Sequence, residues 1–464
     1  MIKKRISMVI ASAVGALALQ ANAETLKDIY TLALDNDPQL RADTAAYEAG
    51  KEALTLGRAN LLPQINAVAR YGETDVDSIA PFGGTTAPIK YNTDAESNLY
   101  QVNLTQPLFN MAAWFGYEQG KSLSQLAEAQ FSADQQNLIV RVSEAYFNVL
   151  RAIDNMETAQ AEETALGHQL EQTRQRFEVG LTAITDVHEA QAAYDNATAS
   201  TLGARGQLGI AYEELEVITG QAHNTVAPLV DEFPVVAPAP SNRAEWVDTA
   251  LTNNYSLKVA KLNSDAAKNN AKSKSSGHLP TISASLSYTD MNDTNADIES
   301  LSYNGSYDSR DYDGTAVAIQ LDVPIYSGHR VSGERRQAYA QSNEAKELYN
   351  KAQRDTIQGA RALHLSVVTG VAQVKARNQA ITSSTSALEA TQAGYEVGTR
   401  NLVDVLVAQR NLYSSQRNYD NTRYDYIINM LKLKEVAGNL TPDDVLKLDK
   451  WLDSAKLVNK SDYD

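Results

Sequence analysis

The chain has no cysteine. That absence excludes disulfide bridges, thiolate metal ligands, a cysteine nucleophile and a lipid anchor carried on an N-terminal cysteine. Positive charge is scarce as well: 41 Lys and Arg stand against 57 Asp and Glu, a formal charge of −16. A chain with that balance is no nucleic-acid binder. Long apolar runs are missing beyond the N-terminus. Nothing there approaches the ~18 residues of a transmembrane helix, so residence in a membrane would require a β-barrel. Histidine is rare, at positions 168, 188, 223, 278, 329 and 364, and no pair has metal-ligand spacing. Asp186-Val-His188-Glu189 is the nearest approach to an acid–base cluster, and on a helix its side chains diverge. No serine-centred elbow or phosphate-cradling loop is present. The reading is a non-enzyme without a cofactor.

Proline is unevenly missing. None lies between Pro107 and Pro228, and none between Pro324 and Pro442. Each gap exceeds a hundred residues and holds one copy of a repeated motif. The first copy is Phe177-Glu-Val-Gly-Leu-Thr-Ala-Ile-Thr-Asp-Val187; the second is Tyr395-Glu-Val-Gly-Thr-Arg-Asn-Leu-Val-Asp-Val405. Glycine just past an apolar-periodic run, followed by a few turn residues and a new run, spells a helical hairpin. Steps of four and three give a seam from Leu138 through Val142, Ala145, Val149, Met156, Leu166 and Leu170 to Phe177. After the turn the seam resumes from Val187 to Ile218. The second gap repeats this less purely, from Ala360 to Tyr395 and from Val405 to Tyr426. A helix from about 112 to 178 would be roughly 100 Å long. A lone pair of that length cannot bury its apolar surface, so further helices must pack beside it.

What remains is strand-like. Residues 281–289 place Ile282, Ala284, Leu286 and Tyr288 on one face, and 315–323 place Val317, Ile319, Leu321 and Val323 on one face. Segments 64–71 and 99–106 occupy the matching places in the first half. Such alternation over roughly ten residues suits an outer-membrane strand, and equally a half-buried soluble sheet. The stretches 72–98 and 290–314, rich in Asp, Asn, Ser, Gly and Tyr, read as long loops and favour the barrel.

The repeat extends along the chain. Leu62-Pro63-Gln-Ile65 matches Leu279-Pro280-Thr-Ile282, Gln106-Pro107 matches Val323-Pro324, and Gly220 matches Gly438. The organisation that follows is a signal peptide over 1–23, a first repeat over 24–240, a second over 241–440 and a C-terminal segment over 441–464. The signal peptide rests on Lys3, Lys4 and Arg5, a short apolar run and Ala21-Asn22-Ala23. Its removal takes away three positive charges and changes the formal charge from −16 to −19. Four strands cannot close a barrel, since the smallest closed ones have about eight. The chain must share its barrel with copies of itself.

These motifs resemble the TolC family of outer-membrane efflux proteins over essentially the whole mature chain. The resemblance implies an α+β membrane protein: a homotrimer with a 12-stranded barrel in outer-membrane lipid and a long α-helical periplasmic tunnel. It implies partners as well, namely a periplasmic adaptor and an inner-membrane efflux pump or ABC transporter, and export of drugs, bile salts or proteins. It places a gate at the hairpin tips, on Thr185, Asp186, Tyr395 and Arg400, with Tyr395 and Arg400 reaching Asp186 or Thr185. Ordinary helix-end roles would account for the same residues, since Asp186 also suits a first helical turn. It also implies a selectivity ring at Asp404, whose second family position is Val407 here. Gly180, Leu181, Gly398 and Thr399 become the adaptor-docking tips. A purely structural coiled-coil or adaptor protein would explain the helices alone, and a passive porin the strands alone.

Overall fold

The computed structural model describes residues 23–81, 88–294, 296–300, 303–307, 310–456 and 458–463. Most of the expected signal peptide therefore lies outside the described residues. Local chemistry starts each element. Thr25 and Asp28 form a capping box that opens α1 (Leu26–Asn36), and Asp37 caps α2 (Pro38–Ala59), which has proline in its first turn. Then come β1 (Gln64–Pro81) and β2 (Pro88–Phe109). Asn110 caps α3 (Met111–Glu178), and α4 (Ile184–Thr219) follows, ending on Gly220 in the left-handed region. A short β3 (Thr225–Val226) leads to the second repeat.

That repeat runs α5 (Arg243–Asn253), α6 (Tyr255–Ser275), β4 (Thr281–Thr294), a ribbon of β5 (Ala296–Ser300) and β6 (Tyr303–Tyr307), then β7 (Arg310–Asp322). Next are α7 (Arg330–Glu396) and α8 (Leu402–Val436). The chain closes with α9 (Pro442–Asp449) and β8 (Val458–Asn459), which pairs with β3.

The sheet order is β1-β2-β4-β7, antiparallel throughout, so β1 and β7 are open edges. Its register aligns Ile65, Leu104, Leu286 and Val317 in one row across the four strands. Ile65, Leu286 and Val317 in that row are exposed, as are Ile319 and Leu321. An apolar face this large and uncovered by protein is a lipid face. The stretches 72–98 and 290–314 differ from expectation. Pairing continues past residue 71 through Glu73↔Glu96 and Asp75↔Asp94 to Pro81↔Pro88, and β4 and β7 pair as far as Asp293↔Arg310. The apolar alternation ends before the ladder does, because backbone hydrogen bonds hold strands together without an apolar face to mark them.

The main core sits midway down the helices. It gathers α1, α3 between Leu138 and Met156, α4 between Leu208 and Leu215, the 226–229 segment, α8 and the C-terminal segment. Tyr146 and Phe147 are wholly buried there, and the Tyr146 hydroxyl donates to the Ala227 carbonyl at 2.7 Å. Of the predicted α3 seam, Val142, Val149, Met156, Leu166 and Leu170 are all buried, while Phe177 emerges at the tip. The expected periodicity is what packs.

Candidate functional site

Both hairpins turn by the same device. Val179 ends α3, and Gly180 follows with φ 78°. The Gly180 amide donates to the Phe177 carbonyl at 2.9 Å and the Leu181 amide to the Arg176 carbonyl at 2.8 Å. At the second tip Gly398 has φ 77°, its amide donates to Tyr395, and the Thr399 amide donates to Gly394 at 2.8 Å. Two crossed bonds closed by a left-handed glycine form a Schellman turn, a conformation a β-branched residue enters only with strain. Leu181 and Thr399 are exposed beyond it.

The next helices start differently. At α4 the N-cap is Ala183, which has no side-chain bond to offer. At α8, Asn401 accepts from the Asp404 amide at 2.8 Å, while the Asp404 carboxylate accepts from the Asn401 amide at 3.4 Å. The second tip is thus a capping box and the first is not.

The expected gate residues lie at these ends, although the structure does not pair them as expected within the protomer. Asp186 accepts from the Thr182 hydroxyl, a partner in its own turn. Thr185 is exposed. Arg400 approaches Asp404, one helical turn on, at 3.8 Å. Tyr395 lies beneath the Arg176 guanidinium, 5.0 Å from its ring centre. Local partners have captured Asp186 and Arg400, because an i,i+4 contact costs almost no further chain ordering, whereas Tyr395 is held from the other hairpin. Val407 is 40% exposed and lines a groove of about 260 Å³ between the hairpins, with Leu166, Leu406, Arg410 and Arg417. Below it, Leu170, Ala190 and Leu402 are buried together, with Tyr194 and Tyr395 packed against them.

The links that join the hairpins are ones the sequence does not announce. Arg417 of α8 meets Glu162 of α3 at 2.7 Å, and the Glu162 side chain is only 10% exposed. Just below, the Tyr413 hydroxyl donates to the Ala161 carbonyl at 3.3 Å. Higher up, Tyr424 donates to Asp154 at 2.6 Å and Arg151 meets Asp425 at 2.6 Å. Together with Arg176 on Tyr395, they form a polar ladder from α3 to the second hairpin. Each of these residues is charged or hydroxylated and lies near an apolar seam, a pattern the sequence displays without naming the partner.

Burial disfavours the charged form of the carboxyls on and beside this ladder. The Asp154 carboxyl is pushed up to about 7, first by desolvation, against which the Tyr424 hydroxyl works. Asp420 is pushed up to about 6, again by burial, with Arg423 opposing. No group of three or more His, Asp or Glu suited to a metal ion occurs among the described residues.

Comparison with known proteins adds an independent line. The family model described as "Outer membrane efflux protein" matches twice, over residues 29–221 and 246–439. The outer membrane protein TolC of Vibrio cholerae serotype O1 is 37% identical, covering 98% of this chain and all of that protein. The proteases secretion protein PrtF of Dickeya chrysanthemi is 29% identical over 95% of this chain and 94% of its own. Among solved structures, the CmeC outer membrane channel of Campylobacter jejuni superposes with a TM-score of 0.73, covering 98% of both chains at 16% identity. That last likeness speaks to the fold.

Proposed function

The chain belongs to the outer membrane efflux protein family, and from that premise we propose that its paired hairpin tips are the gate and docking end of an export duct. It is an outer-membrane channel of the TolC family, a trimer working with efflux or secretion systems, and no enzyme. Three copies of the four-stranded sheet supply the twelve strands of its barrel. A wide duct of this kind needs a closure and an inner-membrane motor, and the tips supply the surface for both.

The observation that carries the proposal is the doubled tip. Two Schellman turns present Gly180-Leu181 and Gly398-Thr399, with Leu181 74% exposed, as the terminal surface of the protomer. A periplasmic adaptor's own helical hairpin docks there, and an inner-membrane pump or ABC transporter feeds it. Thr185, Asp186, Tyr395 and Arg400 stand where three protomers converge, and in the closed state they link neighbours by exchanging their contacts within the protomer for contacts between protomers. Opening then separates the hairpins along the α3–α8 ladder, whose rungs are polar and exchangeable with water. Asp404 supplies one ring of three carboxylates at the mouth, which favours cations.

The test is a deletion strain complemented with this chain and challenged with drugs, bile salts and a secreted protease. Restored export with either cargo class identifies the system served. In planar bilayers, Arg176→Ser with Tyr395→Phe should raise conductance without changing trimer yield. Unchanged conductance would place the gate elsewhere.

A further inference from the structure

The sheet meets the helices at one end and is free at the other, and the two ends differ in charge. At the free end, residues 73–77, 94–98, 290–293 and 310–313 hold nine Asp and Glu against one Arg. At the helix end, residues 53–64, 106–118, 268–281 and 322–337 hold seven Lys and Arg against three acids. In a chain with a formal charge of −16, that belt runs against the balance of the whole.

The belt adjoins the lipid face. The register sets Phe109 opposite Ile282 on the apolar side of the sheet, and Phe109 is exposed. Ile325 and Tyr326, just past β7, are 94% and 76% exposed. Apolar and aromatic groups at such a rim mark where hydrocarbon gives way to headgroups. Arg58 lies four residues before Leu62, Lys274 five before Leu279, and Arg330 four after Tyr326. At the helical rise each is within about 8 Å of the rim, the depth of a headgroup layer. Arg335 and Arg336 lie one to two turns further along α7, and helical side chains lean toward the N-terminus, which here is the rim.

Contacts within the protomer do not account for these charges. Glu334 is shared by Arg330 at 2.9 Å and Lys274 at 3.9 Å. Arg58, Arg335 and Arg336 are exposed and have no ion pair among the described residues. Arg58 and Lys274 lie in the last turns of α2 and α6, where the helix dipole favours a cation. The dipole does the reverse at the start of α7, yet three arginines stand in its first two turns. The matching turns of α3, residues 111–118, carry no Lys or Arg, so the repeat did not supply them.

We infer that this belt binds the headgroup phosphates of anionic phospholipids in the periplasmic leaflet, with Arg330, Arg335 and Arg336 at its centre. Two features select that occupant: its charge complements the belt, and the belt continues the face already in lipid. Headgroups held there fix the depth of the sheet at its helix end. This rests on residence in the outer membrane and not on the tip proposal. Its readout is bound lipid and not export, so either can fail alone.

The test offers full-length trimers in neutral detergent an equimolar mixture of phosphatidylglycerol and phosphatidylcholine and counts retained lipid by native mass spectrometry. The wild type should retain the anionic lipid by roughly fivefold or more. Arg330→Ser with Arg335→Ser and Arg336→Ser should bring that ratio close to one. The same charge removed lower on α7, by Lys351→Ser, Arg354→Ser and Arg361→Ser, should leave it unchanged, since Lys351 stands 15 residues, about 22 Å, beyond Arg336. No preference in the wild type, full preference in the belt variant, or equal loss in the control overturns the belt. If the belt variant does not assemble, salt decides on the wild type. A preference carried by charge shrinks as ionic strength rises from about 0.05 to 0.5 M, and one that persists overturns the assignment.

Discussion

The two longest helices, α3 and α7, are 68 and 67 residues long and come from matching places in the repeat, yet 23 residues of α3 are buried and only eight of α7. Their lower halves differ most. α3 buries residues in every turn or two down to Thr173, whereas α7 buries none beyond Val374. The first hairpin is the spine around which a protomer folds, and the second is a flank kept for contact. Duplication supplied two equal arms; side-chain choice along them divided the work. Apolar seams with Leu, Val and Met make a spine, while Arg377, Ser384 and Thr391 in the equivalent rows of α7 make a surface.

The sharpest break in that comparison is a cavity in the spine. Phe147 has no exposed surface and packs against Tyr146 and Tyr424 at ring-centre distances of 5.7 and 5.9 Å. Phe147→Ala should cost about 3–5 kcal/mol and lower the thermal midpoint and the yield of folded protein together. Leu365→Ala on the flank should leave folding almost unchanged and weaken trimers only. Equal losses from the two would mean that α7 is as much a spine as α3.

How far this is legible in the sequence depends on the range of the contacts involved. Seams such as Val142–Val149–Met156 and turns such as Glu-Val-Gly are written in spacing, and they fold as spaced. The four strands are legible where Ile, Leu and Val alternate with Ser and Ala. They vanish from view beyond residue 71, where the ladder continues through Glu73 and Asp75 without an apolar face. The tip partners differ from those expected because Asp186 and Arg400 each have a competitor four residues away, Thr182 and Asp404. Those two contacts are readable as i,i+4 pairs. Arg176 over Tyr395 and Arg417 on Glu162 are not, because nothing local fixes how one hairpin leans on the other.

The second prediction concerns pH and the ladder between the arms. Asp154 faces Tyr424, Asp420, Glu157 and Arg423, and its carboxyl rises from 3.8 to about 7 in the folded chain. The folded state therefore holds a proton that the unfolded chain releases near pH 4. Its contribution is fully present below about pH 4 and is lost as pH rises through about 7. Asp420, raised to about 6, acts in the same direction. The loss from Asp154 is at most about 4 kcal/mol, since each tenfold gain in proton affinity is worth about 1.4 kcal/mol. Thermal midpoints should fall between pH 5 and 8, and Asp154→Asn should flatten that slope while raising stability at pH 8. A slope unchanged by the substitution would assign it to other carboxylates.

The third compares the tips. Gly180→Val and Gly398→Val each force a β-branched residue to positive φ, at a cost of roughly 1–2 kcal/mol. The second tip retains its Asn401–Asp404 capping box, whereas α4 starts from Ala183 with none. Gly180→Val should therefore loosen its tip more. Export should fall in both variants and further in Gly180→Val, with trimers still reaching the membrane. Normal export from both would move adaptor docking away from the turns.

The smallest effect separates the tips by charge. Asp404 is partly neutralised by Arg400 at 3.8 Å, with side-chain exposures of 38% and 62%. Asp186 spends its charge on the Thr182 hydroxyl, which carries no opposing charge. A partly exposed pair is worth little in stability, yet at a narrow mouth repeated three times it sets the local potential. Arg400→Ser uncovers three carboxylates and should raise the cation-to-anion permeability ratio, by roughly twofold at low salt and less at high salt. Asp404→Asn, which keeps an acceptor for the Asn401 amide, should lower the ratio by a similar factor. Val407→Asp adds a second ring one turn higher and should strengthen block by trivalent cations. Reversal potentials from single trimers under a salt gradient decide the matter. If Asp404→Asn leaves selectivity intact and Asp186→Asn reduces it, the first tip carries the selectivity ring and Arg400 has silenced the second.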